Sequence, residues 1–237
     1  AMGGDPILAI AILGWPINTL PPNIARLVIE GSKSICKEAG IQLAGGHSID
    51  SPEPIFGLAV NGLVEIQNLK KNNTAQKGDI LLLTKSIGVG ILTTAEKKGI
   101  LKTKDATLAS EQMMKLNKIG SLLSKLPTVH AMTDVTGFGL LGHLIEMAEG
   151  SLLSAVVNFA TVPLICDELI EYVSAGAVPG GTNRNWDSYG HKVHFQNEEH
   201  ASFQKNILAD PQTSGGLLIS VDKDDIGEVI EILNEHG

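Results

Sequence analysis

The 237 residues carry 18 Lys and Arg against 26 Asp and Glu, a formal net charge of -8 at pH 7, with 43% hydrophobic and 19% charged residues. That balance excludes a disordered or fibrous chain, and with Lys70-Lys71 as the densest basic run it offers nucleic-acid phosphates no clustered partner. Two cysteines, Cys36 and Cys166, are too few for a disulfide framework and lack zinc-site spacing, and no apolar run reaches the roughly 20 residues that span a bilayer, so a cytoplasmic protein of about two domains is expected.

The first element is an unbroken β-rich run at residues 7–13, Ile-Leu-Ala-Ile-Ala-Ile-Leu, halted by Gly14-Trp15-Pro16. Pro21-Pro22 opens a helix whose apolar residues Ile24, Leu27, Val28 and Ile35 recur at helical spacing, with Gly40 placed for a left-handed C-cap. Strands are expected at 41–43 and 55–64. Between them Gly45-Gly46-His47-Ser48-Ile49-Asp50 reads as a glycine turn, either a plain turn or a backbone approach to phosphate or ribose. Residues 67–78 turn polar and read as a linker, which divides the chain into 1–66 and 79–237.

Beyond the linker the pattern predicts a strand at 79–85, a turn at Gly88-Val89-Gly90, and helices over 91–98 and 109–126. A strand over 129–133 then leads to an amphipathic helix over 138–148. A strand over 154–162, a helix over 164–175, an irregular stretch over 176–197, a strand over 215–221 and a helix over 224–235 complete the chain. Strands interleaved with helices imply an α/β protein built as α+β layers.

The densest motif is Thr133-Asp134-Val135-Thr136-Gly137-Phe138-Gly139-Leu140-Leu141-Gly142-His143, an acidic residue ending a strand before a glycine-bearing helix start. Helix N-termini attract phosphate, and a carboxylate beside one is compatible with that charge when a Mg²⁺ lies between them. The alternative is that Asp134 is only a cap or turn residue. Gly137, Gly139 and Gly142 match G-x-G-x-x-G formally, but the next strand carries no terminal acid, so a dinucleotide site is not expected, and no Walker-type loop occurs. Asp210-Pro211-Gln212-Thr213-Ser214-Gly215-Gly216 is a polar turn feeding an apolar strand. His191, His194 and His200 lack the helical spacing of a zinc pair, and Cys36 and Cys166 read as small buried hydrophobes.

Six ordered blocks resemble selenophosphate synthetases: Gly-Gly-His-Ser-Ile-Asp at 45–50, Pro-Glu-Pro-Ile-Phe-Gly-Leu-Ala-Val at 52–60, Leu-Thr-Thr-Ala-Glu-Lys-Lys at 92–98, the block at 133–144, Gly-Ala-Val-Pro-Gly-Gly-Thr at 176–182 and Asp-Pro-Gln-Thr-Ser-Gly-Gly-Leu-Leu at 210–218. The resemblance implies the two-domain architecture of aminoimidazole ribonucleotide synthetase. Its N-terminal α/β half would build a barrel across a homodimer, and ATP would lie at the junction with the C-terminal half. The reaction implied converts ATP, selenide and water into selenophosphate, AMP and phosphate.

Carried over by position, Asp134 corresponds to a Mg²⁺-binding aspartate, and Gly46, His47 and Ser48 to a nucleotide-contacting turn. The same resemblance sets the catalytic Cys or selenocysteine, the catalytic Lys and the other metal-binding aspartates ahead of residue 1. The N-terminal half is therefore expected to be incomplete and the 237 residues inactive alone. Two other readings stay open: a different ATP-dependent kinase or ligase of the superfamily, and a non-catalytic docking module of selenium metabolism.

Overall fold

The computed structural model describes residues 2–236, which divide into two compact units: residues 4–69 form one, and residues 70–236 with the first residues of the chain form the other.

In the smaller unit β1 (Asp5–Trp15) is the central strand, parallel to β2 (Gln42–Asp50) and antiparallel to β3 (Ile55–Leu63). The parallel pair is linked by helix α1 (Pro22–Glu38), which starts on the expected proline and packs on this sheet. Its end follows the expected cap: Gly40 adopts φ +76, and the N–H groups of Gly40 and Ile41 return to the carbonyls of Lys37 and Cys36 at 3.0 and 2.9 Å.

One expectation fails here. Residues 45–50 are not a turn; they continue β2, in register with β1 as Ala11 faces Gly46 and Ile12 faces His47. Gly46 is needed by the ladder itself. A Cβ on Gly46 would stand 2.2 Å from the Ala11 carbonyl oxygen, so its absence lets two backbones approach, which a local reading takes for turn chemistry.

The larger unit is built on a three-stranded antiparallel sheet in which β6 (Leu217–Val221) lies between β4 (Ile80–Leu83) and β5 (Val129–Asp134). Every residue of β6 is buried, because alternate side chains enter different cores. Leu218 joins the core of Ile87, Ile91, Leu92, Leu144, Met147 and Leu169. Leu217, Ile219 and Val221 join the core of Ile119, Leu123, Met132 and Val229. The helices are α2 (Val89–Lys97), α3 (Leu108–Met114), α4 (Ile119–Leu123), α5 (Gly139–Gly150), α6 (Leu169–Ser174), α7 (Gly180–Tyr189), α8 (Glu198–Leu208) and α9 (Ile226–His236). No helix among the described residues is long and apolar enough to cross a membrane.

Four further expectations give way to tertiary contacts. The helix over 109–126 is broken between α3 and α4: Lys115 is extended at ψ 126, its carbonyl accepts from Lys85 Nζ at 2.6 Å, and the Asn117 amide is spent on the Gly215 carbonyl at 2.9 Å. The strand over 154–162 is absent. Leu152 sits at φ +58, Asn158 caps a 3₁₀ turn at Phe159–Thr161, and the ladder is met only beyond it, where Leu164 bridges Ile87. That bridge, with the Ile165 N–H bonded to the Ile87 carbonyl, keeps 164 and 165 out of the helix and shortens the one expected over 164–175 to α6. Residues 176–197 are not irregular throughout, since they contain α7.

The polar stretch read as a linker lies in part along β5. Met132 N–H bonds the Lys71 carbonyl at 3.0 Å, Thr74 Oγ1 bonds the His130 carbonyl at 2.7 Å, and Asp79 accepts from Ser220 and meets His130 Nδ1 at 2.9 Å.

Candidate functional site

Two of the sequence motifs, 133–143 and 210–216, meet in the larger unit beside the turn at 88–90. Asp134 ends β5 opposite Leu217, and the ladder runs one step further where Val135 N–H bonds the Gly216 carbonyl at 2.8 Å. Burial alternates over 134 to 136: Asp134 half-buried, Val135 buried, Thr136 half-buried, so the two polar side chains share the more open side. The Thr136 carbonyl accepts from Gly139 N–H and from Gln212 N–H, both at 3.0 Å, which fixes the turn between strand and helix.

Asp134 is not a cap. Helix α5 begins at Gly139 behind Phe138, without a side-chain cap and with no acidic residue in its first turn. Among the described residues no donor bonds the Asp134 carboxylate and no cation pairs with it. A half-exposed carboxylate left without protein partners beside an uncapped helix start is a hard oxygen donor in a place where phosphate is favoured, and this fits Mg²⁺. His143, on the first turns of α5, is buried. Its Nε2 lies 3.1 Å from Thr136 Oγ1, while its Nδ1 has no hydrogen-bond partner and stands 3.8 Å from Glu146 Oε2. Burial holds the imidazole pKa below its ordinary value, against the opposing charges of Asp134 and Glu146.

The segment at 210–216 supports this turn from behind. Asp210 is fully buried and Gln212 nearly so. Gln212 Oε1 accepts from the N–H groups of Gly88 and Val89 at 3.1 and 3.2 Å, and Asp210 Oδ2 accepts from Gly90 N–H at 3.0 Å and Gln212 Nε2 at 2.8 Å. The two side chains satisfy the free N–H groups that begin α2, a cap delivered from more than a hundred residues away. Desolvation pushes the Asp210 carboxyl up to about 7, although Gln212 and the N–H groups of Ile91 and Gly90 favour its charged form; Oδ1 has no partner.

Lys85 Nζ bonds the Ser214 carbonyl at 2.8 Å, besides that of Lys115, and so holds Ser214 in a left-handed conformation at φ +51. A Cβ on Gly215 would lie 2.1 Å from the Val135 carbonyl oxygen, so the two motifs meet backbone to backbone. Helix α7 closes the other side: Asn185 Nδ2 donates to the carbonyls of Gly137 at 2.9 Å and Ala209 at 3.0 Å, and Tyr189 Oη donates to that of Phe138 at 2.7 Å.

Gly46, His47 and Ser48 lie on β2 of the smaller unit, with His47 and Ser48 exposed. Asp134 belongs to the larger unit, and each group is a feature of its own sheet. The three histidines at 191, 194 and 200 fall on a 3₁₀ turn, a connecting segment without regular structure and α8, and form no metal-ligating group among the described residues. Asp105, Cys166 and Glu168 do lie close together, but Lys104 occupies Glu168, Tyr172 Oη donates to Asp105 at 2.5 Å, and burial raises the Cys166 thiol to about 11. Cys166 is half-buried and Cys36 buried, both free. The residues missed by local reading are Asp210, Gln212, Lys85 and Asn185. The available signal was a lysine ending an apolar strand and a polar pair directly before another.

Residues 76–237 match the family described as AIR synthase related protein, C-terminal domain, and residues 1–64 match its N-terminal domain. A selenide, water dikinase of Aeromonas salmonicida is 59% identical over all 237 residues, and the chain covers 67% of that relative's length. The structure of thiamine-monophosphate kinase from Stenotrophomonas maltophilia aligns with 99% of this chain and 67% of its own at 17% identity with a TM-score of 0.73. Hydrogenase maturation protein HypE in complex with ATP aligns with 99% and 62% at 17% identity and a TM-score of 0.70. At those identities the two structures establish the shared fold. The matched domains, their order and the identity along the whole chain lead to one conclusion: the chain belongs to the AIR synthase related family, among the selenide, water dikinases.

Proposed function

We propose that this chain supplies part of the site at which ATP, selenide and water are converted to selenophosphate, AMP and phosphate. The observation that carries the reading is the Asp134 carboxylate, half-buried at the end of β5, without a donor or cation among the described residues and shortly before the uncapped start of α5. There it would hold a Mg²⁺, which would supply the positive charge that lets a nucleotide's phosphates approach a carboxylate. The chain's own residues bind and orient. The Gln212 N–H, Asn185 and Tyr189 hold the turn from 134 to 138 through the carbonyls of Thr136, Gly137 and Phe138, so that the carboxylate meets its ligand without reorganising.

Gly46, His47 and Ser48 contact the nucleotide in this reading; Ser48 lies on one face of the sheet, and His47, in register with Ile12, on the other. The HypE relative bound to ATP and the 59% identical dikinase support a nucleotide substrate. We assign the protein to the cytoplasm and to a homodimer. One face of the small sheet carries Ile10, Ile12, Ile49 and Ile55 at 42%, 52%, 51% and 58% exposure, a band suited to a second copy. The chain spans 67% of the length of its 59% identical relative, and in this reading it does not turn over ATP alone.

The test is Asp134→Asn in the enzyme at the length of its relatives. The amide keeps the shape and the fold, and Mg²⁺-dependent AMP formation from ATP and selenide is expected to fall at least about tenfold. Unchanged turnover would overturn the assignment. Selenide-dependent turnover by the 237 residues alone would overturn their proposed inactivity.

A further inference from the structure

We propose that Thr136 is a second oxygen donor at the Asp134 site and that His143 is the positioning residue that aims it. This rests on the reading of Asp134 as a metal ligand. Three observations converge. The burial pattern places Asp134 and Thr136 on one side of the chain, with Val135 turned into the core. The Thr136 carbonyl is committed to Gly139 and Gln212, so its backbone cannot swing, and the hydroxyl is left with one protein partner, His143 Nε2 at 3.1 Å. His143 is itself fixed, buried on α5 with its ring 6.0 Å from that of Phe138 in an edge arrangement.

The direction of the bond follows from the other ring nitrogen. Nδ1 is buried, lacks a hydrogen-bond partner, and faces the Glu146 carboxylate at 3.8 Å, so the ring proton is best kept there. Nε2 then accepts the Thr136 hydroxyl proton. A hydroxyl that donates to the protein has both oxygen lone pairs left to accept, and a neutral oxygen next to a carboxylate suits a hard cation such as Mg²⁺. With the tautomer reversed, Thr136 would present a proton to the ligand instead. The contact with His143 therefore decides whether the turn offers this site an acceptor or a donor.

Mn²⁺ serves as the probe, titrated by electron paramagnetic resonance into the enzyme at the length of its relatives with a non-hydrolysable ATP analogue. Thr136→Val is expected to weaken Mn²⁺ binding roughly fivefold, the scale of one net polar contact, and Thr136→Ser to leave it near the parent value. His143→Phe keeps the ring volume and the packing on Phe138 but frees the hydroxyl, and should weaken Mn²⁺ roughly threefold. His143→Gln, whose amide oxygen reaches the Nε2 position, should recover most of that loss. If Asp134→Asn weakens Mn²⁺ while Thr136→Val does not, this inference fails and the functional reading stands; if Asp134→Asn changes nothing, the functional reading itself fails. A His143→Phe variant with lower thermal stability and unchanged Mn²⁺ affinity would assign the ring to packing alone and overturn the proposal. Nitrogen-15 spectra of the 237-residue chain give an independent check, since a His143 ring protonated on Nε2 would also overturn it.

Discussion

Replacing Gly46 by valine should damage the fold before it damages any ligand contact. The would-be Cβ stands 2.2 Å from the Ala11 carbonyl oxygen, 2.9 Å from its carbon and 3.0 Å from the Ala11 nitrogen, all backbone atoms of the central strand. Carbon and oxygen approach no closer than about 3.3 Å without repulsion, so β2 must move away from β1 by about 1 Å. A ladder bond stretched that far is no longer a hydrogen bond. Losing about two of them at 0.5–1.5 kcal/mol each, with the local repacking, destabilises the small unit by about 2–4 kcal/mol. Amide hydrogen exchange across residues 8–13 and 42–48 is the direct assay, and protection there should drop while β4 to β6 stay protected. Weakened ATP binding with unchanged exchange would refute the argument and make ligand approach, not the ladder, the reason for a glycine at 46.

Asp210→Asn should flatten a pH dependence. The folded carboxyl titrates at about 7 against 3.8 for the free side chain, so the native state binds the proton more tightly. The stability contribution is therefore complete below about 4 and lost as pH rises to about 7. Thermal unfolding at pH 5 and pH 8 should differ less in the variant than in the parent; an equal difference would refute the buried-acid reading. Lys85→Met leaves the carbonyls of Lys115 and Ser214 without their donor and should cost about 2–3 kcal/mol in urea denaturation. It should also loosen Ser214 from its left-handed conformation, which exchange at residues 214–216 would report.

The sequence by itself determined the class of fold, most of the element order and the position of Asp134 at the end of a strand. These depend on patterns short enough to be read locally: an unbroken β-rich run in β1, helical spacing in α1 and α5, and proline and glycine at the ends of α1. The motif blocks likewise carried the family. Only the tertiary structure decided which glycines serve turns and which serve ladders, because Gly46 is explained by a carbonyl 35 positions earlier in the chain. It also decided that the helix predicted over 109–126 breaks, since Lys85 claims the Lys115 carbonyl and the Asn117 side chain is tied to the Gly215 carbonyl. The same holds for the cap on α2. Its donors at 88–90 and its acceptors at 210 and 212 meet only when β6 inserts between β4 and β5, and no local propensity encodes a hydrogen bond across that distance in sequence.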